Sequence, residues 1–438
     1  MTAYTLPAPL VVVHNYLETF REFLSRSGDP DTLMARRFNG DQALFWYGPE
    51  KLVFTSAEVK NADTLKNRWG YEGTRLFVPD DPSPFLSLDI ARSSKFKQEI
   101  VAFAGPGKAI SLIPYASTRE LFTLADTLRT ELGLAVHLPE SPRRQNLWVK
   151  DYIDTKAGFR TLVPQWLDIE LPLPRGFITD NLMEAADMVA WFEARQHGCV
   201  VKANKGGSGV GNLFLPYHLL KGSANFRSLL DDNIFLQEDL SIVEQLIEAK
   251  ERVSPSLEYY VPPVGEGAPA LTYLSNQHFE DSGRFAGVII ASEFYNVPWA
   301  ESFSAMGSKI ADRLQNYGYV GYFDIDAIID DSGRVYIVEI NSRRTGGTFA
   351  HDFLLQRFGP DYCERIAALS YNKAHTRYKT LESLEAALGE FLYPMKGEDR
   401  GVIITLTSTL HKGDVGMILL GNSLADVTGL YQQVSAAL

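Results

Sequence analysis

Two arms of sequence decide how this chain is read: Phe323-Asp324-Ile325-Asp326-Ala327-Ile328-Ile329 and, after Asp330-Asp331-Ser332-Gly333, the segment Val335-Tyr336-Ile337-Val338-Glu339-Ile340-Asn341. Both arms alternate, and the residues between them are turn formers, so the pair predicts an antiparallel hairpin. A turn centred between Ser332 and Gly333 sets Asp326 opposite Glu339 and Asp324 opposite Asn341 on one face. The other face then carries Phe323, Ile325, Ala327, Ile329, Tyr336, Val338 and Ile340 into a core. Like charges directly opposed in a sheet are destabilising by roughly 0.2–1 kcal/mol, so this acidic face calls for compensation. Mg²⁺ suits it, because that ion takes one or two carboxylates and completes its shell with water and phosphate oxygens. A solvated acidic face is the alternative.

Upstream, Val200-Val201-Lys202-Ala203-Asn204-Lys205-Gly206-Gly207-Ser208-Gly209-Val210-Gly211-Asn212 reads as a short apolar strand entering a glycine loop. Such a loop lets backbone N–H groups approach phosphate oxygens, with Lys202 and Lys205 adding positive charge. The spacing fits neither a Walker loop nor a dinucleotide-binding fingerprint, and Gly105-Pro106-Gly107-Lys108 lacks the remainder of the Walker pattern. A flexible glycine turn in a hairpin is the competing reading.

With 438 residues, 45% hydrophobic and 12% aromatic, the chain is expected to be globular, with two or three domains. Its net charge of −12 disfavours nucleic acid or an anionic membrane as the main partner. Cys199 and Cys363 are the sole cysteines, so neither a disulfide framework nor a zinc site is expected. The beginning of the sequence lacks signal-peptide character and no run of 18 apolar residues occurs, which gives the cytoplasm as the expected location.

Along the chain, Leu10 to Val13 reads as a buried strand leading into a helix through Phe20 and Phe23. Ile110 to Tyr115 reads as a strand, and Thr118 to Leu132 as a helix capped by Thr118 with Gly133 beyond its end. The polar stretch Pro139 to Gln145 resembles a linker. A helical pattern runs from Asp154 to Val163. Asn181 to His197 reads as a helix with an Asn181/Glu184 capping box, ended by Gly198. Gly401 to Leu438 reads strand, turn, strand, helix, as a small α/β cap of its own. The expected domains are 1–150, 151–375 and 376–438.

The order of these motifs resembles the ATP-grasp superfamily, over roughly residues 150 to 360. The resemblance implies an α/β (α+β core) ATP-grasp fold with an N-terminal pre-ATP-grasp α/β domain and a small C-terminal α/β module. It implies ATP and Mg²⁺, with Mn²⁺ able to substitute, and an acyl phosphate made from a carboxylate and passed to an amine. Lys156 and Lys202 match the lysines that contact phosphates, and Lys205, Gly206, Gly207, Ser208 and Gly209 match the lid over them. Glu244, Gln245, Leu246 and Ile247 resemble the adenine-binding hinge. Glu258 stands where a ribose-binding acid is expected, with Glu248 or Glu251 as substitutes.

By the same resemblance the metal ligands are Asp326, Glu339 and Asn341, in agreement with the hairpin reading. Arg343, or failing it Arg344, is the arginine that stabilises charge on the transferring group. Arg343-Arg344-Thr345-Gly346-Gly347-Thr348, Tyr115 with Thr118, and the C-terminal segment are similar to the peptide-ligase branch typified by the pheganomycin ligase. That branch implies small amino-acid or peptide substrates and a role in secondary metabolism; the oligomeric state stays open, a homodimer being one expectation because many relatives of the superfamily are dimers. A thiol acceptor, a carboxylase and a catalytically silent nucleotide-binding scaffold are the alternatives. Asp324, where the cell-wall amino-acid ligases place an arginine, reads as a metal ligand or a neutraliser of Arg343. His351 reads as structural, with substrate contact as the alternative.

Overall fold

Val11, Val12 and Val13 are fully buried because β1 (Leu10–Val13) lies at the centre of a five-stranded parallel sheet. Its strand order is β3-β2-β1-β4-β5, with β2 (Lys51–Phe54), β3 (Arg75–Phe77), β4 (Ala109–Pro114) and β5 (Ala135–His137). The computed structural model describes residues 8–25, 36–167, 172–206, 209, 211–222, 226–237, 240–249, 253–279 and 285–438. The helix Arg119–Leu132 is capped as expected: Thr118 Oγ1 accepts from the Leu121 N–H at 3.1 Å, and Gly133 adopts a left-handed φ of 65°. Strand order reverses between β1 and β4, which opens a crevice beyond their carboxyl ends. Asn15 fixes the exit of β4 there, accepting from the Tyr115 and Ala116 N–H groups at 3.0 and 3.2 Å and donating to Ala116 O at 2.9 Å.

A four-stranded antiparallel sheet, ordered β6-β9-β7-β8, comprises β6 (Gly176–Thr179), β7 (Cys199–Ala203), β8 (Leu213–Leu215) and β9 (Ser241–Gln245). The helix packed on it, Leu182–Glu193, is shorter than the expected Asn181 to His197. Gln196 turns left-handed at φ 60° before Gly198 is reached. Asn181 caps the Met183 N–H at 2.8 Å, but Glu184 accepts from the Thr179 hydroxyl at 2.6 Å and does not complete the expected capping box.

The largest sheet has eight strands, ordered β14-β13-β10-β11-β12-β15-β17-β16. They are β10 (Pro255–Val261), β11 (Ala270–Phe279), β12 (Phe285–Ile290), β13 (Gly321–Ile329), β14 (Val335–Asn341), β15 (Ala367–His375), β16 (Gly401–Leu406) and β17 (Asp414–Gly421). The C-terminal strands therefore do not close a cap of their own. β17 pairs with β15, and Ile404, Met417 and Leu419 join the same core as Leu369 and Tyr371.

The hairpin forms with Asp324 opposite Asn341 and Asp326 opposite Glu339, as expected. A register shift follows: Ala327 pairs with Ile337, which leaves Val338 as the extra residue of a bulge. Side-chain alternation flips there, so Val335, Ile337 and Ile340 are buried, while Tyr336 and Val338, expected in the core, are only half-buried. Phe323, Ile325, Ala327, Ile337 and Ile340 share one core with Phe303, Ile310 and Leu314 of the helix Ala300–Asn316. Each large side chain there contributes roughly 1.5–3 kcal/mol by leaving water, which holds the acidic face rigidly on the other side.

Candidate active site

The bulge lies outside the paired acids, so the site half of the hairpin keeps regular pairing. Asp324, Asp326 and Asn341 are all buried, and Asn341 Nδ2 donates to Asp326 Oδ2 at 3.1 Å. One oxygen of each aspartate, Asp324 Oδ1 and Asp326 Oδ1, is buried with no hydrogen-bond partner among the described residues. Burial, with Glu258 and Glu339 nearby, pushes the Asp324 carboxyl up to about 7 despite opposing help from Asn341 and Arg343. Burial and then the charges of Asp324 and Glu339 raise Asp326 well above the carboxylate range. A cation beside these oxygens would offset both effects and favour the ionised forms.

Among the described residues no three or more His, Cys, Asp or Glu side chains form a ready-made metal cage. Two carboxylates and an amide, Asp326, Glu339 and Asn341, instead match the partial protein shell of Mg²⁺, whose other positions go to water and phosphate. The orphaned Asp326 oxygen fits that donor set.

Glu339 accepts from Lys156 Nζ at 2.9 Å. Lys156 opens the helix Lys156–Leu167, and its backbone N–H donates to Asn204 O at 3.0 Å just beyond β7. Asn204 Oδ1 accepts from the next amide, Ala157, at 3.0 Å. The start of this helix thus links the small sheet to the acidic hairpin. Lys202, buried on β7, pairs with Glu244 on the adjacent β9, and Arg160 Nη1 reaches the other oxygen of Glu244 at 2.7 Å. The Glu244 carboxylate is therefore clamped by two cations, and its evident local task is to hold Lys202.

In the expected hinge, the Gln245 N–H donates to Arg175 O at 2.7 Å and the Leu246 N–H to Gly198 O at 3.0 Å; Ile247 lies just past the strand, half-buried. Lys205 and Gly206 are half-buried, and Gly209 and Gly211 take left-handed φ values of 75° and 85°, as a glycine loop permits. Gly207 and Ser208 lie outside the described residues, as does Glu251. Glu248 is exposed.

Glu258 sits beside Asp324 across β10 and β13, fully buried. Its carboxylate accepts from Thr272 Oγ1 and Tyr273 Oη, each at 3.1 Å, from Thr345 Oγ1 at 3.3 Å and from Thr348 Oγ1. Four protein hydroxyls take up the acid expected at a ribose, so its contacts favour an anchor for the helix Thr348–Phe358 over a nucleotide contact. His351 is buried on that helix, hydrogen-bonded to Tyr362 Oη at 2.8 Å, and burial lowers it to about 4; it is structural.

The two arginines part company. Arg343 faces the site: Nη2 donates to Asn341 Oδ1 at 2.7 Å, Nη1 to Asp154 Oδ1 at 2.5 Å, and the guanidinium lies 4.9 Å from the Phe20 ring centroid. Arg344 is consumed by structure. It forks onto Glu140 through Nε at 2.8 Å and Nη2 at 2.6 Å, and Nη1 reaches Asp352 at 2.8 Å. Trp46, Tyr47 and Tyr322 surround its guanidinium. Those contacts correct the expectation that Arg344 could replace Arg343, and they show that the stretch from Pro139 to Gln145, expected as a linker, carries a buried anchor in Glu140.

Sequence reading missed Asp154, Glu140, Asp352 and Lys150. Asp154, two residues before Lys156, also accepts from the Ser342 N–H at 2.9 Å, and Ser342 Oγ donates to Lys150 O at 2.9 Å. The Arg344 N–H donates to Tyr115 O at 3.2 Å. Three segments therefore meet, and Tyr115, Ser117, Lys150, Tyr319, Ser342 and Arg343 line a narrow cleft at the crevice of the parallel sheet.

By sequence alone the chain matches no family profile and none of the curated proteins. By structure it is similar, over 100% of this chain and 98% of that chain, to the N5-carboxyaminoimidazole synthetase of Staphylococcus aureus complexed with ADP, at TM-score 0.56 and 10% identity. It is also similar to the L-amino acid ligase of Bacillus licheniformis, at TM-score 0.51 and 13% identity, with 99% and 98% covered. The biotin carboxylase domain dimer of the Hydrogenobacter thermophilus 2-oxoglutarate carboxylase, in complex with MgADP and bicarbonate, matches at TM-score 0.54 and 12% identity over 94% and 86%. The fold of this chain is the ATP-grasp fold, preceded by a parallel α/β sheet.

Proposed function

We propose that this ATP-grasp-fold chain is an ATP-dependent carboxylate-amine ligase of the peptide-ligase kind, acting on small amino acids or peptides in secondary metabolism. The observation that carries the reading is the pair of buried aspartates with one orphaned oxygen each, set between the Lys156–Glu339 pair and Arg343. A pocket of such charge is costly to keep unless a metal and phosphates complete it. In this reading the substrate carboxylate attacks the γ-phosphorus of ATP, giving an acyl phosphate and ADP. The amine then attacks the acyl carbon, phosphate leaves, and the amine proton passes to solvent or phosphate.

No protein nucleophile is needed, and the residues act by position and charge. Lys156 and Lys202 hold phosphate oxygens, Lys202 being oriented by Glu244 and Arg160. Arg343, held by Asp154 and Asn341, offsets charge on the transferring group. Asp326, Glu339 and Asn341 would hold Mg²⁺, or Mn²⁺ in its place, which would supply neutralisation of phosphoryl charge. We assign the adenine to the Gln245–Ile247 hinge and the lid to the glycine loop, with a first domain over 1–150 and the nucleotide and metal site in the domain that follows it. Among the described residues no helix is long and apolar enough to cross a membrane.

The test is product analysis: the protein with Mg²⁺, ATP, pooled amino acids and short peptides, read by mass spectrometry. ADP and phosphate, with a new mass equal to the condensed pair, support the ligase. AMP and pyrophosphate would mean adenylate chemistry and sink it. A carboxylase is the second reading, favoured by the likeness to the biotin carboxylase domain in complex with MgADP and bicarbonate; ADP release that requires bicarbonate would select it.

A further inference from the structure

We infer that Asn341 is a two-position switch that holds Arg343 back until a divalent cation claims the amide oxygen, so that metal loading arms the arginine. The inference deepens the ligase reading and rests on its metal set. Arginine carries donors alone, so the 2.7 Å bond from Arg343 Nη2 fixes the atom it meets on Asn341 as Oδ1. The other end of the amide, Nδ2, is thereby turned onto Asp326 at 3.1 Å. An amide –NH2 carries partial positive charge and offers a cation no ligand atom. Asn341 and Asp326 can therefore share an ion only when the amide turns over and brings Oδ1 to the aspartate.

Turning the amide over sets Nδ2 against the Arg343 guanidinium, donor against donor, and that contact breaks. The backbone around the pair is pinned. The Ser342 N–H donates to Asp154 Oδ1 at 2.9 Å, Ser342 Oγ to Lys150 O at 2.9 Å, and the Arg344 N–H to Tyr115 O at 3.2 Å. The adjustment falls on the Asn341 amide and on the Arg343 side chain, which Asp154 keeps hold of through Nη1.

What the turn releases is a fork. Nε and Nη2 form one edge of a guanidinium, spaced to grip two oxygens of a single phosphate or carboxylate. In Arg343 that edge is half used: Nη2 serves Asn341, and Nε is buried with no partner among the described residues. Losing Asn341 frees the whole edge for the transferring group, the role proposed above for this arginine. The coupling runs both ways, since an anion that draws Nη2 off Asn341 leaves the amide free to turn its oxygen to the cation. Asn341 is thus a positioning residue for Arg343, beyond its place in the proposed metal set.

The experiment follows the Arg343 guanidinium by nitrogen NMR in arginine-labelled protein, first with ADP and EDTA and then with ADP and excess Mg²⁺. Its signal is assigned by its loss in Arg343→Lys. Mn²⁺ binding in the presence of ADP is read in parallel by electron paramagnetic resonance. Loss of one charge-assisted hydrogen bond should speed rotation of Nη2 about its bond to Cζ about ten- to a hundredfold when Mg²⁺ is added. Asn341→Asp offers an oxygen to each side without turning, so it should keep Mn²⁺ while its Nη2 stays slow. An unmoved Nη2 in wild type that binds Mn²⁺ overturns the inference alone. Equal loosening in Asn341→Asp also overturns it, because charge repulsion by the ion would then be the cause. Should Asn341→Asp fail to fold, the wild-type comparison decides by itself. Mn²⁺ bound equally by wild type and Glu339→Gln, or by neither, overturns the metal assignment, and the inference with it.

Discussion

Replacing Arg344 with methionine tests whether the buried ionic node behind the site is held by charge. Arg344 makes three hydrogen bonds, two to Glu140 and one to Asp352, with its side chain 1% exposed. Even with that cation present, burial keeps both carboxyls above their usual range. Methionine fills similar volume but strands two buried acids. Breaking one buried pair costs about 3–5 kcal/mol, and two acids share this cation, so the upper end is expected near pH 8. In the variant both folded-state values rise further above their unfolded ones, so the folded state binds protons more tightly. The loss is therefore smallest at low pH and grows as pH rises through the folded values. Urea unfolding followed by tryptophan fluorescence reads it directly, since Trp46 lies 4.5 Å beneath the guanidinium. The double variant Glu140→Gln/Arg344→Met should recover part of the loss. A midpoint unchanged at pH 8, or a shift equal at pH 8 and pH 5.5, would refute the reasoning.

Glu339→Gln should cut turnover roughly 10–100-fold or more with little change in melting temperature; a fully active variant would remove Glu339 from the metal set. Lys202→Ala should weaken ATP binding by about tenfold, the scale of one charge-assisted phosphate contact, and unchanged affinity in a calorimetric titration would count against the pocket. Asp41, buried against the Thr407 and Ser408 N–H groups at 2.7 and 2.9 Å, is pushed by burial from 3.8 up to about 6. The folded state thus holds this proton more tightly, and stability falls by up to about 3 kcal/mol as pH rises from 4 to above 6. Asp41→Asn keeps an acceptor for both amides, so it should melt above wild type at pH 8 and lose that advantage below pH 5; a constant gap across pH would contradict the assignment.

The acidic hairpin was legible because alternation and turn residues are local, and they fix which side chains face each other near Asp324 and Asp326. The bulge at Val338 was not: in the run from Val335 to Val338 every side chain can face a core, so one extra residue leaves no mark, and Tyr336 and Ile337 exchanged their expected faces. The helix after Thr118 announced itself by its cap and its terminal glycine, whereas the end of the helix after Asn181 depended on Gln196 turning left-handed, which its sequence does not demand. Glu140 was illegible for a different reason. Its partner lies 204 residues away, and a lone acid among prolines and arginines looks like solvent-facing chain until the fold brings Arg344 to it. The same distance hid Asp154, whose tie to Arg343 spans 189 residues. Lys156 and Lys202 were singled out by motif, but that Glu244 clamps Lys202 followed only from the pairing of β7 with β9.

Lys156 has its amide on one sheet and its ammonium on the other. A single residue therefore ties the two sheets together. In the ligase function proposed above, phosphate oxygens competing for that ammonium would free Glu339, so arrival of the nucleotide and release of the carboxylate proposed to grip its metal would be one event.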